Sequence, residues 1–181
     1  VTARKQAEQA LRVSEEKIRL LLNSSGEAIY GLDSDGNCTF CNSFCLHLLG
    51  YKHPEELLGK NMHWQIHAKY SDGTHYPIED CRIFQAFKEG VGRHVDDEVL
   101  WRSDGTSFPA EYSAYPQLRD GVVVGAVMTF RDITKRKQTE ERLRQLETRI
   151  RQSEKMEAIG QESVCGEAIQ DTLNQKGKDF L

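Results

Sequence analysis

Four cysteines and a pair of histidines are the residues of this chain best equipped for chemistry. Cys38, Cys41 and Cys45 follow a Cys-x2-Cys-x3-Cys spacing, and Cys81 would complete four thiolates, the donor set of a zinc or iron-sulfur centre. Strand geometry opposes that use. If Cys38 and Cys41 share one strand, an offset of three positions turns them to opposite faces, and Cys45 falls on the next helix. Cysteine is also a routine buried hydrophobe, so no metal ligand is assigned. A second group is His63, Trp64 and His67, which would form one wall of a pocket, with Cys81 and Phe84 on a helix facing them. One imidazole with an open side suits haem iron, yet an unperturbed histidine needs no ligand to be stable. No nucleophile is paired with a base in a recognisable motif, so the chain is read as non-catalytic. The enzymatic rival is a small metal-dependent hydrolase using His63, His67 and a carboxylate.

Antiparallel strands with tight turns must position these residues. Residues 27–33 and 37–41 flank Asp33-Ser-Asp-Gly36, and residues 95–102 and 106–115 flank Ser103-Asp104-Gly105, both hairpin signals. Phe108, Ala110, Tyr112 and Ala114 share a face of the later strand. Between the hairpins a short apolar helix is expected over residues 43–49, a turn over 54–58, and a helix over 78–89 presenting Cys81, Phe84 and Phe87. Residues 122–131 alternate as a last strand, with Val122, Val124, Ala126, Met128 and Phe130 on one face and Val123, Val127, Thr129 and Arg131 on the other. Hairpins around helices imply an α+β fold.

The order and wording of these elements resemble a PAS sensor domain with its C-terminal PAC segment. The resemblance is carried by Asn23-Ser-Ser-Gly-Glu-Ala-Ile-Tyr-Gly-Leu-Asp33, Cys38-Thr-Phe-Cys-Asn42, Leu48-Leu-Gly-Tyr51, Trp101-Arg-Ser-Asp-Gly105 with Phe108-Pro-Ala-Glu111, and Phe130-Arg-Asp-Ile-Thr134, over roughly residues 20–134. It implies a five-stranded antiparallel sheet cupping a small pocket beneath short helices, flanked by N- and C-terminal coiled-coil-like helices. By the same resemblance Asp132, Ile133 and Thr134 transmit sheet distortion into the following helix; read from the residues alone, Asp132 is a helix N-cap. Haem, flavin or a small metabolite are the family's guests, and no cofactor is the leading expectation here. The helix at 78–90, which bears the haem ligand in many haem-binding relatives, has no histidine, and the reactive-cysteine motif of blue-light flavin domains has no match.

Beyond the sensor body, residues 1–22 form an amphipathic helix with Leu11, Ile18 and Leu21 in a seam, and residues 135–161 a charged helix with Leu143, Leu146 and Ile150 spaced by three and four. A homodimer along these seams is expected. Residues 152–161 resemble the stretch before the phosphoacceptor histidine of sensor histidine kinases, but no histidine follows His94, so the kinase core is expected as a partner region of a parent chain and 162–181 as an atypical, frayed tail. A net charge of −4 and the pairing of Lys135, Arg136 and Lys137 with Glu140 and Glu141 disfavour nucleic acid. No run approaches the ~18 apolar residues of a membrane span, and an odd cysteine count without a disulfide framework fits a reducing compartment, so a cytoplasmic location without membrane contact is expected. The function expected is sensory input and dimerisation in a two-component signalling protein; the rival is a ligand-free dimerisation module.

Overall fold

The structure, a computed structural model, describes the backbone of residues 2–176 and the side chains of residues 3–156. The chain divides into two compact units, Val1–Thr134 and Lys135–Leu181. The first opens with helix α1 (Thr2–Ser24), followed by strands β1 (Ala28–Asp33) and β2 (Cys38–Cys41), helices α2 (Ser43–Leu49), α3 (Met62–Ile66) and α4 (Arg82–Glu89), and strands β3 (Arg93–Trp101), β4 (Ser107–Arg119) and β5 (Val122–Asp132). All five strands form one sheet in the order β2-β1-β5-β4-β3, with every neighbouring pair antiparallel. The second unit is the body of helix α5 (Thr134–Lys176).

Both hairpin turns close as their sequences require. Asp33 Oδ1 accepts the amides of Asp35 and Asn37, and Asp104 Oδ1 accepts the amide and hydroxyl of Thr106, which leaves Gly36 and Gly105 the positive φ each turn needs. Asn42 then joins three elements. Its Oδ1 accepts the amides of Ile29 and Cys45 at 3.0 and 2.9 Å, capping α2, and its Nδ2 donates to the carbonyls of Leu22 and Glu27, both at 2.8 Å. With its donors and acceptor engaged, this amide can be 2% exposed without a desolvation penalty.

The core lies between one sheet face and the short helices: Tyr30, Leu32, Phe108, Ala110, Tyr112, Ala114, Ala126, Met128 and Phe130 from the strands meet Leu49, Leu57, Met62, Ile66, Cys81 and Ala86. Strict alternation fails at three places, each a bulge of one extra residue. In β2, Phe40 and Cys38 pair with the adjacent residues Gly31 and Leu32, so Thr39 is extra. In β3, Val95 and Glu98 oppose Tyr112 and Ala110, and in β5, Gly125 and Val123 oppose Gln117 and Leu118. A bulge shifts the facing of everything beyond it. Cys38 and Cys41 therefore face the same side, correcting the expectation of opposite faces. Val122 and Val124 are exposed, correcting their placement with Met128, and Val123 instead lies on the helix side, with its Cγ2 3.2 Å from where a Cβ on Gly90 would be.

The helical extensions keep their apolar residues outward. Leu11, Ile18 and Leu21 on α1 are exposed, so α1 does not cover the outer sheet face, and its last turn is tied by Asn42 and by Asn23, whose Oδ1 accepts from the Ser43 amide at 2.9 Å. Leu143, Leu146 and Ile150 on α5 are exposed as well. The backbone of α5 continues to Lys176, where the sequence suggested a frayed tail from 162; Glu, Ala, Gln and Leu between Glu162 and Lys176 are good helix formers, and one interior Gly166 costs only about 1 kcal/mol. Residues 177–181 lie outside the described ones.

Gly125 tests the sheet register. It pairs with Asp33 on β1, and any Cβ there would collide with the Leu32 carbonyl oxygen, a backbone atom with no room to yield. Gly125→Ala is expected to lower stability by about 1–3 kcal/mol in chemical denaturation; an unchanged midpoint would contradict the pairing.

Candidate functional site

The inner face of the sheet carries one carboxylate. Glu98 shares a face with Leu100, and the bulge in β3 brings Val95 to that face too; the Glu98 side chain is 15% exposed. Glu98 is surrounded by donors: Tyr76 Oη gives to Oε1 at 3.0 Å, Tyr112 Oη gives to Oε2, and Arg82 Nε stands 3.2 Å from Oε1. His67 Nε2 lies 2.8 Å from Oε2, off the line of a good hydrogen bond, so that attraction is chiefly ionic. Burial alone would raise the Glu98 carboxyl; the close His67 imidazolium and the bonds from Tyr112 and Tyr76 outweigh it and hold it below the ordinary carboxylate value.

His67 and Cys81 form the next layer. Helix α3 places His63 and His67 one turn apart, both turned inward. His67 is 1% exposed, and its Nδ1 is 3.3 Å from Cys81 Sγ. Burial disfavours the imidazolium, but the Cys81 and Glu98 partners prevail and raise it to about 9. Burial likewise opposes the Cys81 thiolate, and the neighbouring His63 and His67 imidazoles overcome it, bringing the thiol down to about 6. His63 directs Nε2 to the Tyr76 carbonyl at 3.0 Å, while its Nδ1 is buried with no partner. Rings close the layer: His67 stands edge-on to Tyr76 at 4.8 Å and to Tyr112 at 5.8 Å.

These groups adjoin a cavity of about 20 Å³ lined by Tyr30, Leu32, Met62, Ile83, Phe84 and Phe87 together with His63, His67 and Cys81. That volume holds a water-sized guest. Haem or flavin needs a pocket of roughly 300–1,000 Å³, so neither fits this packing. Of the five pocket candidates from sequence, His63, His67, Cys81 and Phe84 line the cavity. Trp64 does not: one position after His63, it is rotated to the surface, 52% exposed, and stacks on His75 at 6.0 Å.

The cysteines of β2 and α2 stand apart from this group. The Cys41 sulfur, with burial, pushes the Cys38 thiol up, and Cys38 in turn lowers Cys41. Burial raises Cys45. Among the described residues they do not converge on a common point as metal ligands.

At the far end of β5, Asp132 Oδ1 accepts the amide of Thr134 at 2.8 Å and its hydroxyl, capping α5. Its Oδ2 takes Arg102 Nη2 at 2.9 Å. Arg102 also donates Nε to the Leu48 carbonyl at 3.1 Å and lies 4.2 Å over the Phe108 ring, so one guanidinium joins α2, the β3–β4 turn and the strand-to-helix corner. Ile133 is buried, and its amide donates to the Pro109 carbonyl. Sequence reasoning found Asp132, Ile133 and Thr134 but missed Arg102, Glu98, Tyr76 and Tyr112. The Trp101-Arg-Ser-Asp-Gly105 motif held the signal for Arg102; Glu98 gave none, because an acidic residue in Val-Asp-Asp-Glu-Val reads as exposed.

A five-stranded antiparallel sheet whose short helices close a small buried pocket is a sensor-domain architecture. The chain belongs to the PAS family, whose model, described as PAS domain, matches residues 26–135. It is similar to the probable diguanylate cyclase DgcE of Escherichia coli (strain K12), 28% identical over 81% of this chain and 13% of that protein. It is also similar to the sensor protein FixL of Bradyrhizobium diazoefficiens, 26% identical over 94% of this chain and 32% of that protein. The chain thus spans less than a third of either relative. The PAS domain of an HTR-like protein from Haloarcula marismortui shares the fold with a TM-score of 0.55 at 23% identity, covering 71% of this chain and 99% of that one. Among the described residues no helix is long and apolar enough to cross a membrane.

Glu98 governs the acid side of the site's pH dependence. A carboxyl depressed in the native state stabilises above its unfolded value of about 4.3, and that contribution fades as pH falls through the native value. Glu98→Gln is expected to lose about 2 kcal/mol near neutral pH, and the gap from the parent chain should close as pH falls below the ordinary carboxylate value. Urea unfolding across that range measures it; a gap independent of pH would show that the charge is not the stabilising element.

Proposed function

We propose that this chain is the sensory input and dimerisation module of a longer signalling protein, and that the state of the pocket at His63, His67 and Cys81 is relayed through Asp132, Ile133 and Thr134 to α5. The observation that carries the reading is the continuity of the sheet between the two places. His67 packs on Tyr112, Tyr112 pairs across the sheet with Phe130, and Phe130 precedes the Asp132 cap by two residues of the same strand. A shift of α3 or Glu98 would therefore bear on the strand that ends at the corner, and rigid elements of this kind carry bistable changes.

The partner regions follow from the relatives. Similarity to FixL spans nearly the whole chain, which supports a sensor-kinase parent whose core receives the signal from α5. Exposed Leu143, Leu146 and Ile150 on α5, and Leu11, Ile18 and Leu21 on α1, supply apolar seams for a homodimer. A net charge of −4 and the absence of a spanning helix among the described residues support a cytoplasmic module that binds neither nucleic acid nor membrane. A second reading, a parent with a cyclase output, is favoured by the similarity to DgcE.

Asp132→Ala in the parent protein tests the relay. As a lost cap it should cost about 1 kcal/mol of domain stability by chemical denaturation, while the change in output on stimulation disappears. Output that responds as before would remove Asp132 from the relay. Leu146→Lys is expected to shift the chain from dimer to monomer in sedimentation velocity; a chain already monomeric at micromolar concentration would rule out the seam.

A further inference from the structure

His63, His67 and Cys81 are all buried, and one donor atom from each lies within 4.8 Å of the others. No other group of three such donors comes together among the described residues. The geometry points to a binding site for one thiophilic first-row transition-metal ion, zinc or copper(I), held by His63 Nδ1, His67 Nδ1 and Cys81 Sγ. As the signal that the pocket reports, the ion rests on the sensory reading above; as a binding site it stands on the geometry alone.

The imidazoles are already oriented for this work. A metal-bound histidine characteristically donates its far nitrogen to a carboxylate or carbonyl, which fixes ring and tautomer. His63 Nε2 meets the Tyr76 carbonyl at 3.0 Å, and His67 Nε2 is held by the Glu98 carboxylate in an ionic contact at 2.8 Å. Both rings are thereby left with Nδ1 for an ion. His63 Nδ1 is a lone pair without a partner on a residue 7% exposed. Leaving such an acceptor unsatisfied is unfavourable, and a cation would satisfy it. Glu98 is braced in turn by Tyr76, Tyr112 and Arg82, so the outer shell is as complete as the inner one.

Distances and donor types agree. Zn–N bonds of ~2.0–2.1 Å and Zn–S bonds of ~2.3 Å put tetrahedral donors roughly 3.3–3.6 Å apart. The present limit of 4.8 Å asks for an inward movement of about an ångström, and His67 Nδ1 is already 3.3 Å from the sulfur. Two imidazoles and a thiolate select zinc or copper over magnesium or calcium, which take oxygen. The adjoining cavity of about 20 Å³ can admit one water as a fourth ligand. On binding, the ion takes the place of the proton between His67 Nδ1 and Cys81 Sγ, and that proton leaves to solvent; no electron is transferred.

Cobalt(II), titrated into the untagged, chelator-treated chain, is the probe. One equivalent should give the thiolate-to-cobalt charge-transfer band and visible d–d bands of tetrahedral intensity, and zinc should displace both. Cys81→Ser should abolish the charge-transfer band, and His63→Gln should weaken binding at least about tenfold. Glu98→Gln should weaken it about 10- to 100-fold. Circular dichroism establishes that each variant is folded; if Cys81→Ser is not, His63→Gln decides, because its Nδ1 bonds nothing in the metal-free chain. A folded chain that gives no band, or binding unchanged in the folded variants, would overturn the site. Competition between zinc and copper(I) on one sample tells which ion the site prefers. Tight binding without any change of output in the parent protein would instead sink the sensory reading and leave the site standing.

Discussion

A carboxylate turned toward the interior of a small sheet must be met by donors from whatever covers it, and that requirement at Glu98 organises this domain. Tyr76 comes from the loop after α3, His67 from the end of α3, Arg82 from the start of α4, and Tyr112 from the neighbouring strand. Four separate pieces of chain are thereby brought to one point. Charge-assisted bonds of this kind are short and directional, so they fix geometry that apolar packing alone would leave loose. The orientation of His67, and through it the thiolate of Cys81, follows.

A second ionic clamp sits two strands away in the same cross-strand row, since Glu98 pairs with Ala110 and Ala110 with Asp132. Arg102 holds Asp132 while Asp132 caps α5, so the corner is made of interactions within the sensor unit. From that row β4 and β5 run on together, paired over ten residues with Tyr112 opposite Phe130. Close-packed interiors tolerate discrete rearrangement better than continuous deformation. With Glu98 and Asp132 joined through Ala110 on β4, a change at one clamp is felt across the pairing that leads to the other.

Much of this was legible in the sequence. The Asp-Gly turns, the alternation of Phe108, Ala110, Tyr112 and Ala114, and the change of period after Asp132 located the hairpins, the inner face and the exit helix. Local chemistry dictates those features, since a type of turn or a two-residue repeat leaves its mark on adjacent residues. The bulges leave no such mark. One extra residue at Thr39 brought Cys38 and Cys41 to one side, another put Val95 and Glu98 on one face, and the one in β5 turned Val123 in and Val124 out. Each is a property of the pairing between strands, and period-two reading of a single strand cannot register it. Trp64 failed for a simpler reason: residue type suggested a pocket filler, while its position, one after His63 on a single helical turn, turned it outward.

Amide hydrogen exchange with and without one equivalent of zinc tests most directly whether the buried His-Cys-Glu site and the strand-to-helix corner form one mechanical unit. Altered protection is expected at α3 and Cys81 and, in the same titration, at β5 and at the amides of Ile133 and Thr134. A change confined to α3 and α4, with the corner amides exchanging as before, would contradict the coupling.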